Sequence, residues 1–219
     1  MQDYIDIIEK CELFGDMSRK EIEMYIIPRC REQSFPRGKY LISPQEELKY
    51  FGIVLEGEIN NQYIFQDGSC GLVKKVTAGD IFGSELISAG GRTSPCYSLA
   101  VSQVRMLSFP VQLFSPDGPL PIVCRDRLIM RLLALISGDS LEREFHMAIL
   151  ARRGLRERVM TYLHLESERR GSRSFRIGFS REELASYLCV NRSALSHELS
   201  LMEQDGLISF RKNEFTLLK

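Results

Sequence analysis

The apolar residues of this chain change their spacing near residue 119, and that change limits the fold more than any other feature. Between residues 29 and 115 they form short or alternating runs, such as YFGIVLEGEI (50–59) and QYIF (62–65). Turn sequences separate these runs, among them PRGK, QDGS, TAGD and AGGR. Many short strands joined by turns with Gly or Pro are typical of an antiparallel sandwich or barrel. The sequence therefore predicts a β-barrel domain over residues 1–118, beginning with two short helical stretches.

A long helix is predicted after this change, and residues 119–148 are assigned to it and to a hinge. A helix over 119–146 would span about 42 Å, which is longer than a barrel of about a hundred residues requires. Apolar residues recur along it at intervals of three, four and seven, so they form a dimer interface in this interpretation: Ile122, Ile129, Leu132, Leu133 and Ile136. The alternative is a helix that lies on its own domain. Gly138 in the SGDS stretch (137–140) weakens a helix, which leaves a break or kink open.

Residues 149–219 are predicted to form a third, helix-rich region that ends in a hairpin. LRERVMTYLHLESE (155–168) is amphipathic, and SREELASYL (180–188) begins with Ser180 and Glu183 in the spacing of a capping box. NRSALSHELSLMEQDGL (191–207) is a further helix closed by Gly206. The stretch LISFRKNEFTLL (207–218) follows and is predicted to form a tight hairpin that turns at Lys212-Asn213.

The two short helices on either side of Cys189-Val190-Asn191 form a predicted helix-turn-helix. Ala185 supplies the small side chain needed where the helices touch, and burial of Leu195 and Leu199 leaves the opposite face outward. A recognition helix presents its N-terminal residues to the major groove of DNA. The predicted readers of base edges are Arg192, Ser193, Ser196 and His197, and Asn191 either caps the helix or donates to a phosphate. The alternative is a helical hairpin with a solvated polar edge.

Charge supports a nucleic-acid partner for this region. Residues 149–219 hold 13 Lys and Arg against 9 Asp and Glu, whereas residues 1–148 hold 16 against 20. A basic part joined to an acidic part indicates that only the former meets a polyanion. Contacts to backbone phosphates are predicted for Ser180, Arg181, Arg211 and Lys212.

Composition argues against a secreted or membrane protein. With 44% hydrophobic and 26% charged residues, the chain has the profile of a soluble globular protein of two domains. The N-terminus MQDYIDIIEK carries acids where a secretory signal carries cations, and LIMRLLALIS is too short for a membrane span. We therefore expect a cytoplasmic protein without a membrane partner.

Cysteine and histidine usage gives no sign of a metal site. The six cysteines include no C-x-x-C pair, so six reduced thiols are expected, and no metal ligands are assigned. A redox-sensing thiol remains an alternative, with four candidates: Cys11, Cys30, Cys96 and Cys124. A metal-dependent barrel enzyme of the cupin type is a second alternative, but residues 1–145 contain no histidine to supply a ligand. No catalytic residues are predicted, and the chain is not expected to be an enzyme.

The chain resembles the Crp/Fnr superfamily, the cyclic-AMP receptor protein and its relatives. The resemblance rests on LEGEI (55–59), AGDIFG (78–83), LRERVMTYL (155–163) and FSREELASYLCVNRSALSHELSLMEQDGLI (179–208). It implies an α+β protein: a sensory double-stranded β-helix (a cyclic-nucleotide-binding-like jelly roll), a dimerisation helix, and a C-terminal winged helix-turn-helix. It also implies a homodimeric transcription regulator that binds an inverted-repeat promoter site and works with RNA polymerase under control of a small-molecule effector.

Carried over residue by residue, the resemblance is partial at the DNA end. Arg192 matches the base-reading arginine of the cyclic-AMP receptor branch, and Ser196 matches a serine of the oxygen-sensing branch. Ser193 stands where many members have Glu, and His197 where many have a second Arg. Ser180 and Arg181 match positions that touch phosphates. The operator is therefore expected to differ from either branch's half-site.

At the sensory end the resemblance implies an effector site but leaves the effector unidentified. Glu85, Arg92 and Thr93 match residues that hold the ribose and the cyclic phosphate in cyclic-nucleotide binders. Ser84 and Ser94 depart from that pattern, and the intervening loop is shorter, which argues against cyclic AMP. A surface turn whose arginine pairs with a nearby acid is the alternative for Arg92. Clustered N-terminal cysteines and barrel histidines are missing, which argues against an iron-sulfur cluster and haem.

Overall fold

A computed structural model describes residues 2–47, 49–66, 68, 70–87 and 93–218. Its N-terminal part is helical, with α1 at Gln2–Lys10, a 3-10 turn at Glu12–Phe14 and α2 at Arg19–Glu21. Helix α2 continues through a π-helical turn, Ile22–Ile26, and a 3-10 turn, Ile27–Arg29. Ser18 and Glu21 form a capping box that begins this segment.

Eight strands follow and form two four-stranded sheets. Their bounds are β1 Arg31–Phe35, β2 Tyr40–Ile42, β3 Tyr50–Glu56, β4 Ile59–Ile64, β5 Cys70–Val76, β6 Ile81–Phe82, β7 Tyr97–Ala100 and β8 Val104–Pro110. One sheet has the order β1-β8-β3-β6 and the other β2-β7-β4-β5. A four-residue helix, α3 (Ser84–Ile87), follows β6. The alternating order of strands between the sheets is that of a jelly roll, so the predicted barrel is confirmed.

The inward residues of these strands pack as one apolar cluster. It joins residues of both sheets: Ile42, Val54, Ile59, Val76, Phe82, Ala100, Val104 and Met106. The neighbouring outward positions are more exposed, as in β1, whose pattern alternates between exposed and half-buried residues. Successive side chains of a strand point to opposite faces of its sheet, so burial of one face produces the short runs of alternating apolar and polar residues in the sequence.

Helix α4 runs without interruption from Ile122 to Leu150, which excludes a break at Gly138. Asp139 does not cap a new helix. Its carboxylate accepts two hydrogen bonds from Lys74 Nζ on β5, at 2.7 and 2.8 Å. A single glycine therefore leaves the helix intact, because one weak helix former is offset by the turns on either side.

One face of α4 packs against its own barrel unit. Cys124, Leu128 and Leu132 are buried in the cluster formed by the N-terminal helices and one face of the β1-β8-β3-β6 sheet. Arg127 pairs with Glu21, and Arg131 Nε lies 2.6 Å from Asp16 Oδ2. The three buried residues are four positions apart, so they lie on one face of the helix.

Of the five predicted dimer-interface residues, Leu132 is instead buried in this cluster, and the other four stay a prediction. Leu132 is only 5% exposed there, and Ile136, which is half-buried, packs against the same cluster. Ile122, Ile129 and Leu133 are exposed, and so are Val123 and Met130. The periodicity mixed two faces, because α4 is apolar on both the side that meets the barrel and the opposite side.

The C-terminal part contains three helices and one small sheet. Helix α5 (Leu155–Arg170) ends at Gly171, whose φ of 60° is the left-handed conformation of a C-terminal cap. Strand β9 is Ser174–Arg176, α6 is Arg181–Tyr187 and α7 is Arg192–Gln204. The hairpin of β10 (Ile208–Arg211) and β11 (Glu214–Leu217) turns at Lys212-Asn213, and β9 adds to its edge in the order β10-β11-β9.

Contacts within the chain group into two compact units. The first holds residues 1–64 and 73–140, and the second holds 65–72 and 141–219. The boundary falls inside α4, so the division into 1–118, 119–148 and 149–219 stays a prediction. Among the described residues, no helix is long and apolar enough to cross a membrane.

Candidate nucleic-acid interface

Helix α6 begins with the capping box that its sequence predicts. Ser180 Oγ accepts a hydrogen bond from the Glu183 amide at 3.2 Å, and Glu183 Oε2 accepts one from the Ser180 amide at 2.7 Å. The box satisfies two amides that would otherwise lack helical partners. Ser180 is therefore engaged in starting the helix, and its side chain stands at the helix N-terminus, where anions are favoured.

The turn between α6 and α7 is tight. Cys189 adopts a left-handed conformation with φ of 55°, and the Val190 amide donates to the Ala185 carbonyl at 3.0 Å. Ala185 is almost completely buried, as expected for the small residue at a helix crossing. Asn191 then caps α7, because its Oδ1 accepts from the Ala194 amide at 2.7 Å.

Helix α7 has a buried face and a polar face, as predicted. Leu195, Leu199 and Met202 are fully buried in the apolar cluster of the second unit. The proposed base readers Arg192, Ser193, Ser196 and His197 are all exposed. A helix held by three buried residues on one side presents those four side chains to a partner on the other.

The four exposed residues are not equally free. The Ser193 hydroxyl donates to Asn191 Oδ1 at 2.8 Å, so it shares the oxygen that caps α7. Arg192 is two-thirds exposed, and its Nη1 lies 4.0 Å from Glu182 Oε2. Ser193 thus supports the start of the helix, whereas the Arg192 guanidinium stays accessible.

Helix α7 is also fixed to α5 by an arginine that sequence analysis missed. Arg156 Nε lies 2.6 Å from Glu198 Oε1, and its Nη1 lies 2.6 Å from Asp205 Oδ2. These acids lie at the middle and the end of α7, so one guanidinium spans about two turns of it. The sequence signal was two acids seven residues apart, on the side of α7 away from Arg192.

Arg181, the first residue of α6, packs on the hairpin. Its guanidinium lies over the rings of Phe210 and Phe215, at 5.1 and 5.6 Å from their centroids, and Nη2 donates to the Lys212 carbonyl at 3.0 Å. Burial, followed by the nearby charge of Arg192, lowers the pKa of Arg181. These contacts hold the hairpin against α6, and the phosphate contact of Arg181 stays a prediction.

The hairpin, together with β9, forms a basic cleft of about 300 Å³. It is lined by Arg176, Arg211, Lys212, Asn213 and Glu214. Cross-strand pairing explains the grouping, since Glu214 is opposite Arg211 on one side and Arg176 on the other. The sequence predicts phosphate contacts for Arg211 and Lys212, and the register of β9 adds Arg176 to them.

The candidate effector residues stay a prediction. Arg92 and the side chain of Glu85 lie outside what the structure describes, and Thr93 is exposed. The first unit contains a cleft of about 470 Å³, lined by charged side chains such as Lys10, Lys74 and Asp139, and by Ser84.

The described residues contain no group of three potential metal ligands. Burial raises the pKa of Cys11, that of Cys124, and that of Cys30, the last to about 11. Reactive cysteines have lowered pKa values, so these three thiols do not fit redox sensing.

Comparison with known proteins agrees with both parts of the fold. The chain matches a family model for the cyclic nucleotide-binding domain over residues 32–115 and one for the Crp-like helix-turn-helix domain over residues 157–219. The two ranges take in about two thirds of the chain. They coincide with the jelly roll and with the region of α5, α6, α7 and the hairpin.

Individual relatives have low sequence identity to the chain but match most of its length. The chain is 23% identical over 192 residues to the fumarate and nitrate reduction regulatory protein of Escherichia coli K12, covering 85% of this chain and 74% of that one. Among solved structures, FixK2 of Bradyrhizobium japonicum matches with a TM-score of 0.65 and 21% identity, covering 87% and 93% of the two chains. The c-di-GMP-responsive global regulator CLP of Xanthomonas campestris matches with a TM-score of 0.67 and 18% identity, covering 92% and 100%.

Proposed function

The chain belongs to the Crp/Fnr superfamily and is a DNA-binding transcription regulator, and on that premise we propose that it acts as a homodimer on an inverted repeat in promoter DNA. An effector that binds the barrel unit controls this activity in our proposal. RNA polymerase is the protein partner, the cytoplasm is the location, and the chain has no catalytic activity.

The face of α7 carries this proposal. Three fully buried residues hold the helix, and Arg192, Ser196 and His197 remain exposed on its other side. Arg offers two parallel donors to guanine N7 and O6, whereas Ser and His each donate or accept and so read more loosely. The cations of the wing cleft, Arg176, Arg211 and Lys212, suit backbone phosphates on either side of the bases.

The exposed face of α4 supports a dimer. Ile122, Val123, Met130 and Leu133 are each more than half exposed, although they are apolar. An apolar helix face of this kind is favourable only when a partner covers it. Two copies would place their recognition helices about 34 Å apart, in successive major grooves.

Selection from a randomised DNA library tests the proposal. The purified chain should enrich duplexes with two copies of one half-site, in inverted orientation and about one helical turn apart. Enrichment of no sequence, both with the protein alone and with an extract of small metabolites added, would contradict it. Thermal shift with the same metabolites then identifies the effector, because a ligand of the folded state raises the melting temperature.

A further inference from the structure

Glu182, the second residue of α6, carries a negative charge on the face that the proposed function assigns to DNA. Its side chain is 74% exposed, and Arg192 is its ion-pair partner, at 4.0 Å. We propose that Glu182 is a positioning residue for specificity: it keeps the Arg192 guanidinium from binding phosphates and so directs it to base edges. This inference rests on the proposed function.

The first turn of a helix favours an acid, but the capping box does not require one at position 182. The capping box of α6 uses Glu183, whose carboxylate accepts from the Ser180 amide. Within the part of the chain that the structure describes, the Glu182 carboxylate has no ion-pair partner other than Arg192. A pair this long between two exposed side chains contributes little to folding stability.

Two of the charges near Glu182 are positive. Arg181 and Arg192 lie close enough for the charge of Arg192 to lower the pKa of Arg181. A guanidinium on such a face has two possible partners in DNA, a phosphate or a guanine. Phosphates are present at every position of any duplex, whereas a guanine in the right place is present only in the operator.

A carboxylate beside Arg192 changes this competition. Its charge repels any phosphate that approaches the guanidinium, and it offsets the gain from binding one. A guanine edge is uncharged, so the same carboxylate affects that contact less. Glu182 therefore weakens binding to random DNA more than binding to the operator, and specificity is that difference.

Glu182→Gln tests the proposal, with the duplex selected from the library and a random duplex of equal length as probes. We expect the variant to bind the random duplex more tightly, by about fivefold per protomer, the upper limit for an exposed charge pair. Its affinity for the selected duplex should change much less, so that the ratio of the two dissociation constants falls. Because Arg192 then contacts a phosphate, the salt dependence on random DNA should steepen by about 0.9 per protomer.

Three further variants make the result specific. Glu182→Asp keeps the charge and should restore the ratio, and Glu157→Gln removes an exposed acid from α5 of the same unit and should leave it unchanged. In an Arg192→Ala background, Glu182→Gln should no longer alter the ratio. An effect that persists there would overturn the positioning role, because Glu182 would then act on DNA directly.

Two failures are distinguishable. A library that enriches no inverted repeat contradicts the proposed function itself. An enriched site on which Glu182→Gln and the wild type discriminate equally contradicts only the role of Glu182, provided that both proteins unfold at the same temperature.

Discussion

At the scale of single residues, Arg192 and Ser193 are neighbours with different partners. The Arg192 guanidinium is accessible, whereas the Ser193 hydroxyl is bonded to the Asn191 oxygen that caps α7. We expect Arg192→Ala to lose about 1–3 kcal/mol of discrimination at one guanine of each half-site. Ser193→Ala should instead weaken binding to all duplexes by one small factor, because it loosens the start of the helix.

Anisotropy titrations on duplexes with each base substituted in turn check both expectations. A loss confined to one base position in Ser193→Ala would show that the serine reads DNA. An equal loss on operator and random DNA in Arg192→Ala would remove its role as a reader.

Arg181 gives a second prediction at this scale, because its contacts need a planar guanidinium and not only a charge. Arg181→Lys keeps the charge but loses the planar stacking on Phe210 and the donor geometry toward the Lys212 carbonyl. We expect it to weaken DNA binding almost as much as Arg181→Ala, without changing the salt slope. If Arg181→Lys binds like the wild type, the residue acts through charge, as a phosphate contact would.

The sequence predicted which residues of this face are exposed, but not what they contact. Helical spacing places Leu195 and Leu199 inward and His197 outward, and Arg192 is exposed because it begins the helix. The partners of Arg181 and Ser193 depend on where the hairpin and the cap lie in three dimensions, and spacing along one helix does not contain that information.

At the scale of elements, the turn between α6 and α7 depends on a residue in an unfavourable conformation. Cys189 has φ of 55°, which side chains other than glycine adopt at a cost. We expect Cys189→Gly to unfold at the same or higher denaturant concentration. Cys189→Val should be less stable by about 1–2 kcal/mol, since a branched side chain tolerates this conformation least. Equal urea midpoints for these two variants would show that the turn relaxes.

The contact between α2 and α4 predicts a dependence on pH. Hydrogen bonds from Ser18, followed by Arg127 and Cys124, lower the pKa of Glu21 to about 2. The folded-state pKa lies below the ordinary value of 4.5, so the carboxylate stabilises the fold above pH 4.5 and this contribution is lost as pH falls toward 2. Glu21→Gln should lower the free energy of unfolding at neutral pH and reduce its fall across that interval.

Glu47→Gln is the matched control, because Glu47 is an exposed acid of the same unit. It should unfold like the wild type at every pH. If Glu21→Gln keeps the full acid dependence of the wild type, the coupling of α2 to α4 through Glu21 is wrong.

The bounds of helix α4 could be predicted from the sequence, but the partners of its two faces could not. Its length and position were predicted to within about four residues at each end, because apolar periodicity over that distance has few alternatives. The predicted dimer interface combined residues from two faces of α4, because Leu132 and Leu133 are adjacent in sequence but lie on different faces. Only the barrel, which covers Leu132, separates them.

At the scale of the whole molecule, α4 makes contacts in each of the two units. In the first unit, Arg127, Arg131 and Asp139 attach it to the N-terminal helices and to β5. In the second unit, the His146 ring stacks on Tyr187 at 3.8 Å, and its Nε2 lies 2.7 Å from the Tyr187 carbonyl. Tyr187 ends α6, just before the turn to α7. Within the second unit, α4 is therefore fixed beside the helix that precedes the recognition helix.

The dimer gives the last prediction, and the two adjacent leucines of α4 provide its internal control. Leu133→Asp changes an exposed residue, so it should leave the melting temperature of the barrel unit nearly unchanged while separating the protomers and abolishing binding to the inverted repeat. Leu132→Asp places a charge in the apolar cluster between α4 and the N-terminal helices and should unfold that unit instead. Analytical ultracentrifugation with thermal melting separates the two effects. A Leu133→Asp protein that remains dimeric would mean that the exposed face of α4 is covered by something other than a second copy of the chain.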